Sequence, residues 1–210
     1  MPTIVIGGHT RNIGKTSVVA GLIAALPQLN WTAIKITQFG HGVCSANGEP
    51  CDCEIADHTL ALSEERDPTS GTDTSRFLAA GASRVFWLRT RQGQLSEAMP
   101  RLRSLLASST NVILESNSVL RFLQPDLSLT VLDPTVTDFK PSALRYLDRA
   151  DALILPQGTE SALDTLSWPG VSPRLLAGKP RFLIHPPTFC PPELIQFVAS
   201  HLAQAVPTHS

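Results

Sequence analysis

The sequence has almost no charge bias. Its 17 Lys and Arg face 18 Asp and Glu, for a net charge of −1. That balance excludes a global electrostatic pull toward nucleic acid or an anionic membrane, so neither is expected as a partner. Long hydrophobic runs are missing too: nothing approaches the roughly 20 apolar residues that span a bilayer. The N-terminus has no basic n-region, which argues against a signal peptide and for a cytoplasmic protein. Cysteine is scarce, with four in 210 residues; in a reducing compartment these are thiols or metal ligands rather than disulfides. No internal repeat, low-complexity tract or linker breaks the chain, and its length fits one domain over 1–210. What is present suffices for a core, since 42% of residues are apolar and only 17% charged, a balance that does not suggest disorder.

The most informative stretch is Thr3 to Ser17, TIVIGGHTRNIGKTS. A short β-branched apolar run leads into a polar loop, then Gly14-Lys15-Thr16, then the apolar helical pattern Val18 to Leu26. Strand, loop and helix with Gly-Lys-Thr at the loop-to-helix joint is the order a phosphate-binding loop needs. Backbone N–H groups from Gly8, His9, Thr10, Arg11, Asn12 and Ile13 through Gly14 and Ser17 would cradle phosphate at the positive end of the helix. Lys15 would reach the β- and γ-phosphates, and the Thr16 hydroxyl is placed for Mg²⁺. The pattern G-x-x-x-x-G-K-[ST] wants glycine at position 9, where this chain has His9. Either Gly8 supplies the tight turn or His9 takes a strained backbone.

Further along, Trp31–Ile36, Arg84–Leu88, Asn111–Leu114, Leu127–Leu132, Ala152–Leu155 and Arg181–Ile184 read as buried strands. Asp73–Ala80, Leu95–Ser108, Pro141–Arg149 and Glu193–Gln204 read as helices. Residues 37–72 lack a strong period and read as a long Cys-containing insertion, with a short helix expected at Ile55–Glu64. Solidly apolar strands alternating with helices predict an α/β fold, a mostly parallel sheet with helices on both faces. Ligands then bind outside the carboxyl ends of the strands.

Glu115 sits at such an end and suits Mg²⁺, directly or through water. Gly71 to Arg76 form a second polar island opening a helix. Asp73 could serve Mg²⁺ or position water, and Arg76 could contact phosphate; ordinary N-capping by Thr72 or Asp73 explains the pattern as well. Lys140, after the fifth strand in this reading, could touch a base, as could Asp138, or Asp138 could simply cap a helix. Cys44, Cys51 and Cys53 lie within ten residues in HGVCSANGEPCDC, flanked by His41 and His58. Their ligand chemistry suits Zn²⁺ or an iron–sulfur cluster, with redox thiols or plain space-filling as alternatives. No C-x₂-C spacing specifies a standard zinc fold, and no N-K-x-D motif selects GTP over ATP.

Three stretches resemble the MobB family, molybdopterin-guanine dinucleotide biosynthesis adapters of the SIMIBI class of P-loop GTPases. They are GGHTRNIGKTSVVAGLIAAL, the segment Lys35 to His41, and PTSGTDTSRFLAAGASRVFWL from Pro68 to Leu88. In the last, Asp73, Ser75, Arg76 and Ala80-Gly81-Ala82 match or nearly match the family motif, and Thr72 replaces its lysine. The resemblance covers about residues 1–155 and implies a P-loop fold, slow or partner-dependent hydrolysis of GTP or ATP, and homodimers acting with a protein partner in cofactor biosynthesis. It implies catalytic roles for Lys15, Asp73 and Glu115, the last on the Mg²⁺ side. The cysteine cluster is not a feature of that family. Two alternatives stand beside this reading: a nucleotide-switched adapter carrying a metal or cluster on its Cys loop, and a small-molecule kinase or ligase similar to dethiobiotin synthetase, with Thr37-Gln38 and Ser116-Asn117 forming the substrate pocket.

Overall fold

The computed structural model describes residues 1–39, 60–159, 161, 168 and 170–205. β-Branched and aliphatic runs form the strands, which are β1 (Thr3–Gly8), β2 (Trp31–Phe39), β3 (Leu60–Glu65), β4 (Arg84–Arg91), β5 (Asn111–Glu115), β6 (Leu127–Val131), β7 (Ala152–Pro156) and β8 (Arg181–Ile184). They pair in the order β3-β4-β2-β5-β1-β6-β7-β8, and every pairing is parallel except β3 on β4. The helices are α1 (Lys15–Ala25), α2 (Asp73–Ala79), α3 (Leu95–Ala107), α4 (Pro141–Arg145) and α5 (Pro192–Ala205).

Side-chain alternation sorts the sheet into two faces. Ile4, Ile6, Ala33, Ile113 and Leu129 face one way and pack with Val19, Leu22 and Ile23 of α1, Phe77 of α2, and Leu194 and Val198 of α5. Val5, Ile34, Leu88, Val112 and Leu114 face the other way and meet Leu95, Met99, Leu102 and Leu106 of α3. A third cluster, with Leu132, Leu153, Leu155 and Trp168, closes the β7 end. Helices on both faces thus explain why the central strands are apolar at successive positions.

The expected α/β architecture is what forms, with two local corrections. The expected helix Ile55–Glu64 is strand β3 from Leu60 onward, and 55–59 lie outside the described residues. Leu, Ala and Glu favour helix intrinsically. Here the open edge of β4 supplies a ladder, Leu60↔Thr90 through Glu65↔Val85, and lets Leu60 and Leu62 join the α3-side core. The expected helix Pro141–Arg149 breaks at Tyr146 (φ −119°, ψ 13°) into α4 and a 3₁₀ turn at Leu147–Arg149. The turn sets the Arg149 guanidinium to donate to the Leu120 carbonyl at 2.6 Å.

Candidate functional site

The register places the chemistry. Glu115 ends β5 opposite Ile6 of β1 on one side and Lys35 of β2 on the other. By alternation Lys35 and Glu115 project to the α1 side, the face that carries Ala33 and Ile113. Beyond β1 the chain turns through residues 9–14 into α1. The turn needs two left-handed residues, Asn12 (φ 56°) and Gly14 (φ 92°). Gly14 is the N-cap of α1 and no side chain caps the helix, so its first N–H groups have no side-chain acceptor.

Neither expectation for position 9 holds. Gly8 lies in β1 without a positive φ, and so does His9 just beyond it. Gly8 is required by close approach: a Cβ there would stand 2.7 Å from Lys15 Cδ, so the lysine stem runs across this glycine. The neighbouring amide of Asn117 holds the strand end from both directions, accepting from Gly8 N–H at 2.9 Å and donating to Gly8 O at 2.8 Å. His9 is fully buried beneath the loop. Its ring stacks with Phe139 and Trp168 at centroid distances of 5.2 and 5.1 Å. Nδ1 accepts from the Asp133 N–H at 3.4 Å, which leaves Nε2–H to donate to the Val136 carbonyl at 3.4 Å. Burial pulls its pKa below the ordinary histidine value, more than backbone hydrogen bonds raise it. Position 9 is therefore filled by a neutral ring that ties the loop to the segment after β6. Lys140 N–H to His9 O (2.8 Å) and the hydrogen bond from Thr10 Oγ1 to Asp138 complete that tie.

Above the loop opens a cleft of about 840 Å³, within the range of small-molecule sites. The run Arg11 to Ser17, with Asp73, Arg76, Glu115 and Lys140, lines it. Gly8, His9 and Thr10 do not line it; they hold the loop from behind. Thr16 Oγ1 donates to Glu115 Oε2 at 2.9 Å. The other oxygen of Glu115 faces Lys35 Nζ at 3.5 Å, and the same ammonium makes a close salt bridge to Asp73. Arg76 reaches Asp73 at 3.9 Å and donates to Ser17 Oγ at 2.8 Å. Thr72 does cap α2, accepting from the Ser75 N–H at 3.0 Å, so Asp73 is left to face the cleft. Lys15 donates to the Thr10 carbonyl, and burial lowers its pKa. Lys140 is pushed down to about 8, first by burial and then by repulsion from Lys15 and Arg11.

The Thr16 hydroxyl and the Glu115 carboxylate are hydrogen-bonded, and Asp73 joins them through Lys35; hard oxygens of this kind suit Mg²⁺. Thr37, Gln38, Ser116 and Asn117 also line the cleft. Much of their polarity is used internally: Trp87 donates to Thr37 at 3.0 Å, Gln38 accepts from the Gly93 N–H at 3.0 Å, and Asn117 serves Gly8. The rest of the wall includes Pro156, Ile184, Pro186 and Phe189, and Phe189 and Ile184 stand against Gly14, where a Cβ would lie 3.4 Å and 3.7 Å from them.

Sequence reasoning gave Lys35 no role of its own, although a lysine inside the apolar strand WTAIKI was a visible signal. It also missed the Asn117 clamp and the Thr10–Asp138 bond, which no motif announces. Cys44, Cys51, Cys53, His41 and His58 lie outside the described residues. The fourth cysteine, Cys190, is a poor metal ligand: burial pushes its thiol up to about 12, and it donates to the Val18 carbonyl at 3.3 Å. No described helix is long and apolar enough to cross a membrane.

No protein-family model matches the chain, and no curated protein does. Solved structures do match. HypB from Helicobacter pylori, crystallised in complex with nickel, is 16% identical over 99% of this chain and 90% of its own, with a TM-score of 0.51. LpxK from Aquifex aeolicus, crystallised in complex with ATP, is 20% identical over 87% of this chain and 53% of its own, with a TM-score of 0.46. At such identities the likeness to HypB speaks for the fold alone, an α/β fold with a mostly parallel sheet and helices on both faces.

Proposed function

We propose that this chain is a Mg²⁺-dependent P-loop protein that binds GTP or ATP and hydrolyses its terminal phosphoanhydride, alone or with a protein partner. The observation that carries this is the Thr16–Glu115 hydrogen bond beside Lys15 at the uncapped start of α1. Lys15 and the first N–H groups of α1 bind phosphate oxygens. Thr16 and Glu115, with Asp73 beside them, would hold Mg²⁺. The ion supplies neutralisation of phosphate charge. Arg76, fixed by Ser17 and Asp73, faces the same space and binds a phosphate oxygen. In hydrolysis, water adds to the γ-phosphorus, the bond to the bridging oxygen breaks, and the nucleoside diphosphate leaves with inorganic phosphate. Asp73 is the carboxylate that would orient that water. The test is calorimetric titration of Thr16→Ala and Glu115→Gln with GTP and ATP, with Mg²⁺ and with EDTA. Both variants should lose affinity with Mg²⁺ and little in EDTA. Equal losses under both conditions would mean that these residues only shape the loop.

The finer reading is a MobB-like adapter serving molybdenum-cofactor biosynthesis, as a homodimer with a partner protein. Its support is that the family-like motif residues Asp73 and Arg76 stand on the cleft wall. A second reading makes the chain a nucleotide-switched carrier of a metal or cluster on Cys44, Cys51 and Cys53. One observation favours it: the segment 40–59 is anchored at Phe39 and Leu60, and both anchors lie at the cleft-side edge, opposite Arg91 and Thr90 of β4. Anaerobically purified protein should then carry about one equivalent of zinc or an iron–sulfur chromophore. Freely reactive thiols at Cys44, Cys51 and Cys53 with no metal would end it.

A further inference from the structure

We propose that Lys35 is a built-in counter-cation for the two metal-side carboxylates, so that the site rejects a free divalent ion and accepts it only together with phosphate. The inference rests on the reading of Thr16, Glu115 and Asp73 as the Mg²⁺ side of a nucleotide site. It goes beyond that reading by assigning the order and coupling of binding.

Lys35 is a lysine in the middle of a buried strand, with its side chain only 11% exposed. A lysine so placed needs a partner, because an unpaired buried ammonium is costly. It has two, Asp73 in a close salt bridge and Glu115 Oε1 at 3.5 Å. Those same carboxylates are the hard-oxygen donors of the cleft. The local balance is also positive. Lys15 interacts with Glu115, Lys35 and Asp73, and Arg76 stands 3.9 Å from Asp73. Three cations therefore meet two carboxylates, and the rest of the wall adds Arg11 and Lys140 against Asp133. A free divalent cation would have to displace the ammonium from its partners inside a net positive, partly dry site. A metal–polyphosphate complex arrives with negative charge. It neutralises the excess, brings its own oxygen ligands to the ion, and gives the ammonium a new anionic partner. Lys35 is thus a positioning residue that makes metal and phosphate binding mutually dependent.

The experiment uses Mn²⁺ as the probe, read as the ion retained with the protein in equilibrium dialysis, against a protein-free arm for each ligand. The chains are wild type, Lys35→Met and Lys35→Arg, each with and without inorganic tripolyphosphate. Wild type and Lys35→Arg should take up little Mn²⁺ alone and much more with tripolyphosphate. Lys35→Met should bind Mn²⁺ alone at least ~10-fold more tightly than wild type, equivalent to about 1.4 kcal/mol. Adding Glu115→Gln to it should remove the gain. Where Lys35→Met does not fold, Lys35→Gln, which can still hydrogen-bond to Asp73, takes its place. Wild type binding Mn²⁺ alone as tightly as it binds the tripolyphosphate complex would overturn the proposal, as would a folded Lys35→Met with no gain. In either case, retained uptake with tripolyphosphate would leave the nucleotide reading standing. Absence of uptake with tripolyphosphate and with GTP or ATP would count against that reading itself.

Discussion

Two parts of the cleft wall are built on different plans. One part is charged and densely bonded. Thr16, Lys35, Asp73, Arg76 and Glu115 form one connected set of hydrogen bonds and ion pairs, with Lys15 bonded to the Thr10 carbonyl beside it, backed by Asn117 on Gly8 and by the buried ring of His9. The other part is apolar, made of Pro156, Ile184, Pro186 and Phe189. Phe189 links the two, because a Cβ on Gly14 would lie 3.4 Å from its ring. The difference teaches where affinity and where selectivity should reside. Charge-assisted bonds from a preorganised set are strong and indifferent to what is attached to the phosphates. An apolar rim contributes burial and can discriminate by shape.

The largest break in this comparison should come from Lys15→Ala. Losing one or two charge-assisted hydrogen bonds of about 1.5–3 kcal/mol each should weaken nucleotide binding by at least ~10-fold, as read by calorimetry. The fold should survive, since Lys15 lies on the cleft wall and not in either core.

Next comes the support of the charged part. His9→Ala removes a buried ring from the stack with Phe139 and Trp168 and should destabilise the protein by about 2–4 kcal/mol, by analogy with other large-to-small core changes. Chemical denaturation reads this directly. The same ring predicts an acid effect. Its folded-state pKa is lowered by burial, so the unfolded chain binds the proton more readily. Stability is then fully present above the ordinary histidine pKa of about 6.5 and declines as pH falls below it. The His9→Ala variant should show a shallower decline.

The smallest effect belongs to Lys140 on the cleft wall. Its pKa of about 8 means that bound phosphate should draw a proton onto it. Nucleotide affinity should therefore fall a few-fold as pH rises through that value. Lys140→Arg should flatten the profile, because guanidinium stays charged.

The same contrast explains what was legible in the sequence. The charged part is nearly contiguous, Gly14 to Ser17, and its other members announce themselves as Glu115 at the end of an apolar strand and Asp73 after a cap. Lys35 carried a signal, a charge inside a buried strand, but only the register with Glu115 gives it meaning. His9 was misread because motif logic treats that position as backbone geometry, while the fold supplies a pocket made by Phe139 and Trp168 from distant segments. β3 was misread because edge pairing, which no local pattern encodes, overrode helix propensity. The apolar part joins Pro156 at the end of β7 to Ile184, Pro186 and Phe189 at and beyond the end of β8, a pairing only the fold makes.

The most direct test of the central claim is a side-by-side calorimetric titration of the wild-type chain, in the presence of Mg²⁺, with a nucleoside triphosphate, inorganic tripolyphosphate and the bare nucleoside. If the charged part carries the affinity, tripolyphosphate should retain most of the binding free energy of the nucleotide, and the nucleoside alone should bind weakly or not at all. A nucleoside that binds as tightly as its triphosphate, with no heat from tripolyphosphate, would contradict the account.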